Sequence, residues 1–172
     1  MEDQIERATA EVRAWTMRVK KGEAERLMKE ISEAARVSSS EVLVIKGELV
    51  FGLDHVRSAL YHARKAIEEG RNASESIAME TLLYSSGERQ LSSAIKKMSV
   101  DGETENVAIV RLHGAGVKPG DNWVEMPRRP RAVDTAELRR FGISDRELET
   151  VSREKAVELV MERVAAVDIL KK

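Results

Sequence analysis

The sequence contains no cysteine. Disulfide staples, thiolate catalysis and cysteine-ligated metals are therefore excluded, and the composition suits a reducing cytoplasmic setting. Aromatic residues make up only 3% of the chain, two each of Trp, Tyr and Phe, which rules out extensive stacking against bases or sugars. The three prolines, Pro119, Pro127 and Pro130, all fall within residues 113–132, so the rest of the chain is free to form regular structure. No apolar run exceeds four residues, too short for a membrane-spanning helix. Neither sign of charge is in excess: 29 Lys and Arg stand against 30 Asp and Glu, a net charge of −1. Any contact with a polyanion must come from local clustering. The acidic start, Met1-Glu2-Asp3-Gln4-Ile5-Glu6, does not read as a signal peptide.

What is present reads as one globular domain over residues 1–172, with 42% hydrophobic and 34% charged residues. Short-period alternation predicts a strand over 11–19, ended by Lys20-Lys21-Gly22. Ala24, Leu27, Met28, Ile31, Ala34 and Ala35 form the apolar stripe of a helix over 23–36. Val42 to Ile45 is a short strand rich in β-branched residues. Asp54 is the expected N-cap of a helix that turns Val56, Ala59, Leu60, Ala63 and Ile67 inward and ends at Gly70. Asn72 and Glu75 have capping-box spacing before a nearly all-apolar, central helix that Gly87 stops. A helix over 88–98 follows, with Leu91, Ala94, Ile95 and Met98 inward. Residues 107–112 are the best strand, and 113–132 a long excursion with a short extended piece at 123–126. Asp134-x-x-Glu137 and Ser144-x-x-Glu147 start two short helices, and 153–165 forms another with Val157, Val160, Met161 and Val164 inward. Residues 166–170 read as a final strand. The sum is an α+β fold: a small mixed or antiparallel sheet of three to four strands packed with several helices.

The chemistry-bearing residues are few. His55 and His62 lie seven apart on one helix, and Glu80 sits in an apolar one. A metal- or ligand-dependent enzyme using these three is one reading, but metal sites usually have closer pairs and a third ligand. A structural ion pair between Glu80 and Arg89 is the simpler reading of the buried acid. Gly114-Ala115-Gly116 lacks the third glycine and the helix of a dinucleotide loop. Two basic features remain. Arg89, Ser93 and Lys96 share the outer face of the 88–98 helix, flanked by Gln90 and Lys97, and Pro127-Arg128-Arg129-Pro130-Arg131 gathers three guanidinium groups. Either arrangement suits phosphates.

Residues 78–95 read A-M-E-T-L-L-Y-S-S-G-E-R-Q-L-S-S-A-I. A helix with Glu80 and Leu83 three apart runs into Ser86-Gly87-Glu88-Arg89-Gln90-Leu91, with Ala94-Ile95 beyond. This pattern resembles the kinase-binding subunit of the KEOPS tRNA-modification complex, the CGI-121/TPRKB-like family, in its archaeal type. The resemblance runs from about residue 42 to the C-terminus and is densest over 54–98. Residues 113–131 match no motif of the family, and an aromatic residue often found near Ile77 is missing. The resemblance implies a non-catalytic, cytoplasmic protein without cofactor or metal. It implies direct binding to the complex's small atypical kinase/ATPase, and contact with the threonylcarbamoyl transferase subunit only through that kinase. It also implies binding of the single-stranded 3′ CCA end of tRNA, in support of threonylcarbamoyl adenosine modification. On this reading the tRNA contacts fall on Ser86, Gly87, Arg89, Gln90, Ile95, Lys96, Lys97 and Met98. The kinase contact falls on Leu159, expected to be exposed, with Glu162 and Arg163.

Overall fold

The computed structural model describes residues 1–130 and 132–170. In chain order the elements are α1 (Glu2–Ala8), β1 (Arg13–Arg18), α2 (Ala24–Val37), β2 (Glu41–Lys46), α3 (Leu53–Glu68), α4 (Ile77–Ser86), α5 (Leu91–Met98), β3 (Asn106–His113), β4 (Val124–Glu125), α6 (Thr135–Phe141), α7 (Asp145–Leu148) and α8 (Ala156–Leu170). The four strands form one antiparallel sheet in the order β2-β3-β1-β4, so the α+β reading holds.

Alternation along the strands gives the sheet two apolar faces. Ala14, Leu43, Ile45, Ala108, Val110 and Leu112 face the larger core, built with α3, α4, α6 and α8. Trp15, Val44, Val107 and Ile109 face the other way, where α2 covers them with Ala24, Ile31 and Ala35. On α2, Leu27 and Met28 are half-buried and Ala34 is exposed. α4 runs through the interior, buried from Glu80 to Ser86, and packs most closely on α3.

Several local expectations give way to tertiary contacts. The N-terminal helix α1 was not foreseen; it has no buried residue and little apolar periodicity to betray it. Asp54 is not the N-cap of α3. Gly52 is, at φ +89°, and the first free N–H groups of the helix reach across to the loop before α6: Leu53 N–H donates to Pro127 O at 2.8 Å and Asp54 N–H to Arg128 O at 3.0 Å. A Cβ on residue 52 would lie 2.5 Å from Arg128 O, so the close approach requires glycine. Ser76, rather than Asn72, caps α4 through the Met79 N–H. Asp134 and Ser144 cap α6 and α7 as their spacing indicates, the latter in a full capping box with Glu147.

The expected strand at 166–170 is instead the last turn of α8. Val164 and Val167 continue the helical spacing and pack with Ala59, Ala63 and Leu83. Asp168, one residue on, accepts from Tyr84 Oη (2.5 Å) and Arg71 Nη1 (3.1 Å) and meets His62 Nδ1 at 2.8 Å. Burial raises the Asp168 pKa, but these three partners outweigh it and hold the carboxyl below its ordinary value. Helical packing and this cluster override the β-branched composition of the segment.

Candidate functional site

A buried helix end leaves backbone carbonyls that need donors. At the end of α4 they are met from several elements. Gly87 adopts φ +67° and its N–H bonds Tyr84 O. Ser86 Oγ donates to Leu83 O (2.7 Å) and accepts from the Glu88 N–H (3.1 Å). His55, fully buried on α3, receives the Phe51 N–H on Nδ1 (3.1 Å) and lies 2.9 Å from Ser85 O through Nε2. Because Phe51 N–H is the donor, Nδ1 carries no proton, and Nε2–H donates to Ser85. Burial pushes the His55 pKa down to about 4; the bond to Ser85 opposes this and the Lys97 charge adds to it. The imidazole is a neutral structural bracket, with both nitrogens occupied.

Lys97 completes the bend from α5. Its ammonium donates to Ser86 O (2.6 Å), pairs with Glu88 (3.0 Å) and lies 4.2 Å above the Phe141 ring. Burial lowers its pKa against the opposing pull of Glu88. On the far side, a Cβ at position 87 would stand 3.2 Å from Arg163 Cβ. Arg163 is fixed in turn by Glu147 (2.7 Å) and Gly142 O (3.4 Å). The bend is thus gripped by α3, α5, α6 and α8.

What the bend presents outward differs in part from expectation. Gln90 is extended, so α5 starts at Leu91 and the 87–90 segment carries Arg89 and Gln90 into solvent. Ser93 and Lys96 are exposed with them. Ile95 is not inward but 39% exposed. Met98 is fully buried and offers no surface. Lys97 is committed to the bend, and Ser86 is buried within it. The Glu80 carboxylate accepts from the Ala73 and Ser74 N–H groups (3.0 and 2.9 Å) at the opposite end of α4 from Arg89, so the expected pair between them does not form. His55, His62 and Glu80 are divided among different partners, and among the described residues no group of three His, Asp or Glu side chains is placed to hold a metal ion.

Two clefts flank the bend. One, of about 460 Å³, is lined by Lys46, Glu48, Ser93, Lys96, Lys97 and Arg140. The other, of about 310 Å³, is lined by Gly87, Arg89, Phe141, Gly142, Arg163 and Leu170. They share Glu88 and Lys97 in their walls. Lys46 pairs with Asp101 (2.7 Å) and Lys97 with Glu88, whereas Arg89, Lys96 and Arg140 pair with no carboxylate among the described residues. Arg140 and Lys46 escaped sequence reasoning because they lie far from the signature along the chain. The exposed basic position of Arg140 on α6 was the only signal for it.

The residues expected to meet a kinase are not gathered into a surface. Leu159 is 7% exposed and belongs to the main core, because it shares the buried side of α8 with Ala156 and Val160. Glu162 is exposed, and Arg163 is tied to Glu147. The large exposed apolar residue of α8 is Ile169, at 74%. Of the basic loop, Arg128 and Arg129 are engaged by Asp54, Glu6 and Glu2, and Arg131 lies outside the described residues.

Comparison with known families matches residues 19–128 to one described as kinase binding protein CGI-121. The match takes in α2 to α5 and β2 to β4, and so the whole bend; it starts and stops earlier than the resemblance read from the sequence, leaving α6 to α8 outside. No curated protein matches the chain. With more than half of its length matched, the chain belongs to the CGI-121 family of kinase-binding proteins.

Proposed function

We propose that this protein is a non-catalytic, cytoplasmic subunit of the KEOPS complex. It binds the complex's atypical kinase/ATPase directly, reaches the threonylcarbamoyl transferase subunit through that kinase, and recruits tRNA by its single-stranded 3′ CCA end for threonylcarbamoyl adenosine modification. Family membership supports the kinase-binding half. The observation that carries the RNA half is the pair of clefts on either side of the bend, rimmed by Arg89, Lys96 and Arg140, which pair with no carboxylate among the described residues, with Ile95 exposed next to Lys96 in the chain. Single-stranded RNA needs such a combination: cations for phosphates, and apolar surface for unstacked bases. Ser86, Gly87, Lys97 and Met98 act by holding the bend, while Arg89, Gln90, Ile95 and Lys96 touch the RNA. The kinase meets the outer face of α8, where Glu162 and Ile169 stand seven residues apart. Mobility-shift titration of intact tRNA against tRNA lacking its last three nucleotides tests the RNA half: the tail-less form should bind much more weakly, and equal affinities would remove the tail from the account.

A further inference from the structure

The Pro127–Pro130 loop is the one basic motif that the bend does not absorb. Arg128 reaches Asp54 (3.1 Å) and Glu6 (3.5 Å), and Arg129 reaches Glu2 (3.1 Å) and Asp54 (3.6 Å). A third guanidinium, Arg57 of α3, lines the same seam, and its Nε is buried without an acceptor among the described residues. Between them lies a small cavity of about 50 Å³, roofed by Glu2, Ile5 and Glu6 of α1. Three cations thus face three carboxylates, two of which belong to α1.

The hold on α1 is uneven. Its C-terminal end is tied down: Thr9 is fully buried, and Arg64 donates to Ala8 O and pairs with Glu11 at 2.5 Å. The helix itself has no buried residue. Seven residues are too few for a helix to persist alone in water, so its outer end depends on the half-buried Ile5 and on the exposed ion pairs. Exposed pairs are individually weak and screened by salt. Once the outer end lifts, Asp54 is the one carboxylate among the described residues that remains against Arg57, Arg128 and Arg129.

We propose that Arg57, Arg128 and Arg129 form a second phosphate-binding site, for the backbone of an RNA, and that the acidic face of α1 occupies it when no RNA is bound. The site rests on the reading that the protein binds RNA, but not on the tail contact at the bend. A carboxylate-bearing partner would have to displace a tethered competitor of its own chemistry, whose effective concentration is high. A phosphodiester chain brings bidentate guanidinium–phosphate pairing and counterion release, which α1 cannot match. The glutamates of α1 therefore set a threshold that a polyphosphate passes and a carboxylate does not.

The test uses the full chain with Glu2→Gln and Glu6→Gln, and tRNA lacking its last three nucleotides as probe, so that the bend contributes little. Fluorescence anisotropy across a salt series reads affinity and its salt dependence. The double variant should bind the probe more tightly than the unaltered chain. Its plot of log affinity against log salt should steepen by about 1.4 to 1.8, two phosphates at about 0.7 to 0.9 each. Adding Arg128→Ala and Arg129→Ala should abolish the gain. An unchanged slope, a gain that survives the arginine changes, or displacement of the probe by polyglutamate at equal charge concentration would each overturn the site. Because the probe has no tail, such a failure is separate from a failure of the tail contact, which the intact and tail-less comparison in the unaltered chain reads by itself.

Discussion

His55 and Gly87 fix the bend from opposite sides, and each makes a measurable commitment. Buried neutral His55 holds its pKa near 4, against 6.5 for a solvated imidazole. As pH falls below 6.5, the unfolded chain takes up a proton that the folded chain refuses, so stability drops until pH reaches about 4. The full loss is about 3 kcal/mol. Asp168 and Glu147 are held below their ordinary values, 3.8 and 4.5, and lose their contribution as pH falls through and below those values, mostly under the range in which His55 acts. Urea unfolding at pH 7 and pH 4.5 should therefore show the drop in the unaltered chain and a flatter profile in His55→Gln, from a lower starting stability. Gly87→Ala places a side chain at φ +67° and against Arg163, and should cost about 1–2 kcal/mol by the same assay. The positive φ at Gly87 was legible from its position between two helical patterns. The role of His55 was not, because nothing local in the sequence announces that a histidine thirty residues away will meet Ser85 O.

Among the elements, α5 and α8 separate structural from presenting residues. Lys96 and Lys97 are adjacent in sequence but do different work: one is exposed, the other caps α4 and pairs with Glu88. Lys97→Glu should lower the melting temperature, since it sets a carboxylate beside Glu88 and strips Ser86 O of its donor. Lys96→Glu should leave melting unchanged and weaken RNA binding. On α8, Leu159→Glu buries a charge in the main core and should destabilise by about 3 kcal/mol or more. Ile169→Glu should leave unfolding as it is and reduce capture by the cognate kinase; normal capture would place the kinase on another face. The caps at Asp134 and Ser144 were legible because each is followed by a glutamate three residues on, although only Ser144 and Glu147 close a full box. The last turn of α8 was not, because Ala166-Val167-Asp168-Ile169-Leu170 suits either a strand or a helix until Val164, Val167 and Asp168 find their partners on α3 and α4. The face of α8 that carries Leu159 was misjudged for the same reason: both sides of that helix are apolar enough to serve as its core.

At the scale of the molecule, a four-stranded sheet carries α2 on one face and the bend's supports on the other. The strands and the central helix were readable from alternation and from unbroken apolarity. The clefts were not, since they arise where α5 and α6 converge from distant parts of the chain. The claim at the centre is that this junction reads the RNA tail. A cycle of two changes tests it most directly: Arg89→Ala with Lys96→Ala in the protein, and removal of the last three nucleotides from the tRNA. If the clefts hold the tail, the protein change should weaken binding of intact tRNA clearly and binding of tail-less tRNA hardly at all. If it weakens both forms equally, Arg89 and Lys96 act on some other part of the RNA and the assignment of the bend to the tail is wrong.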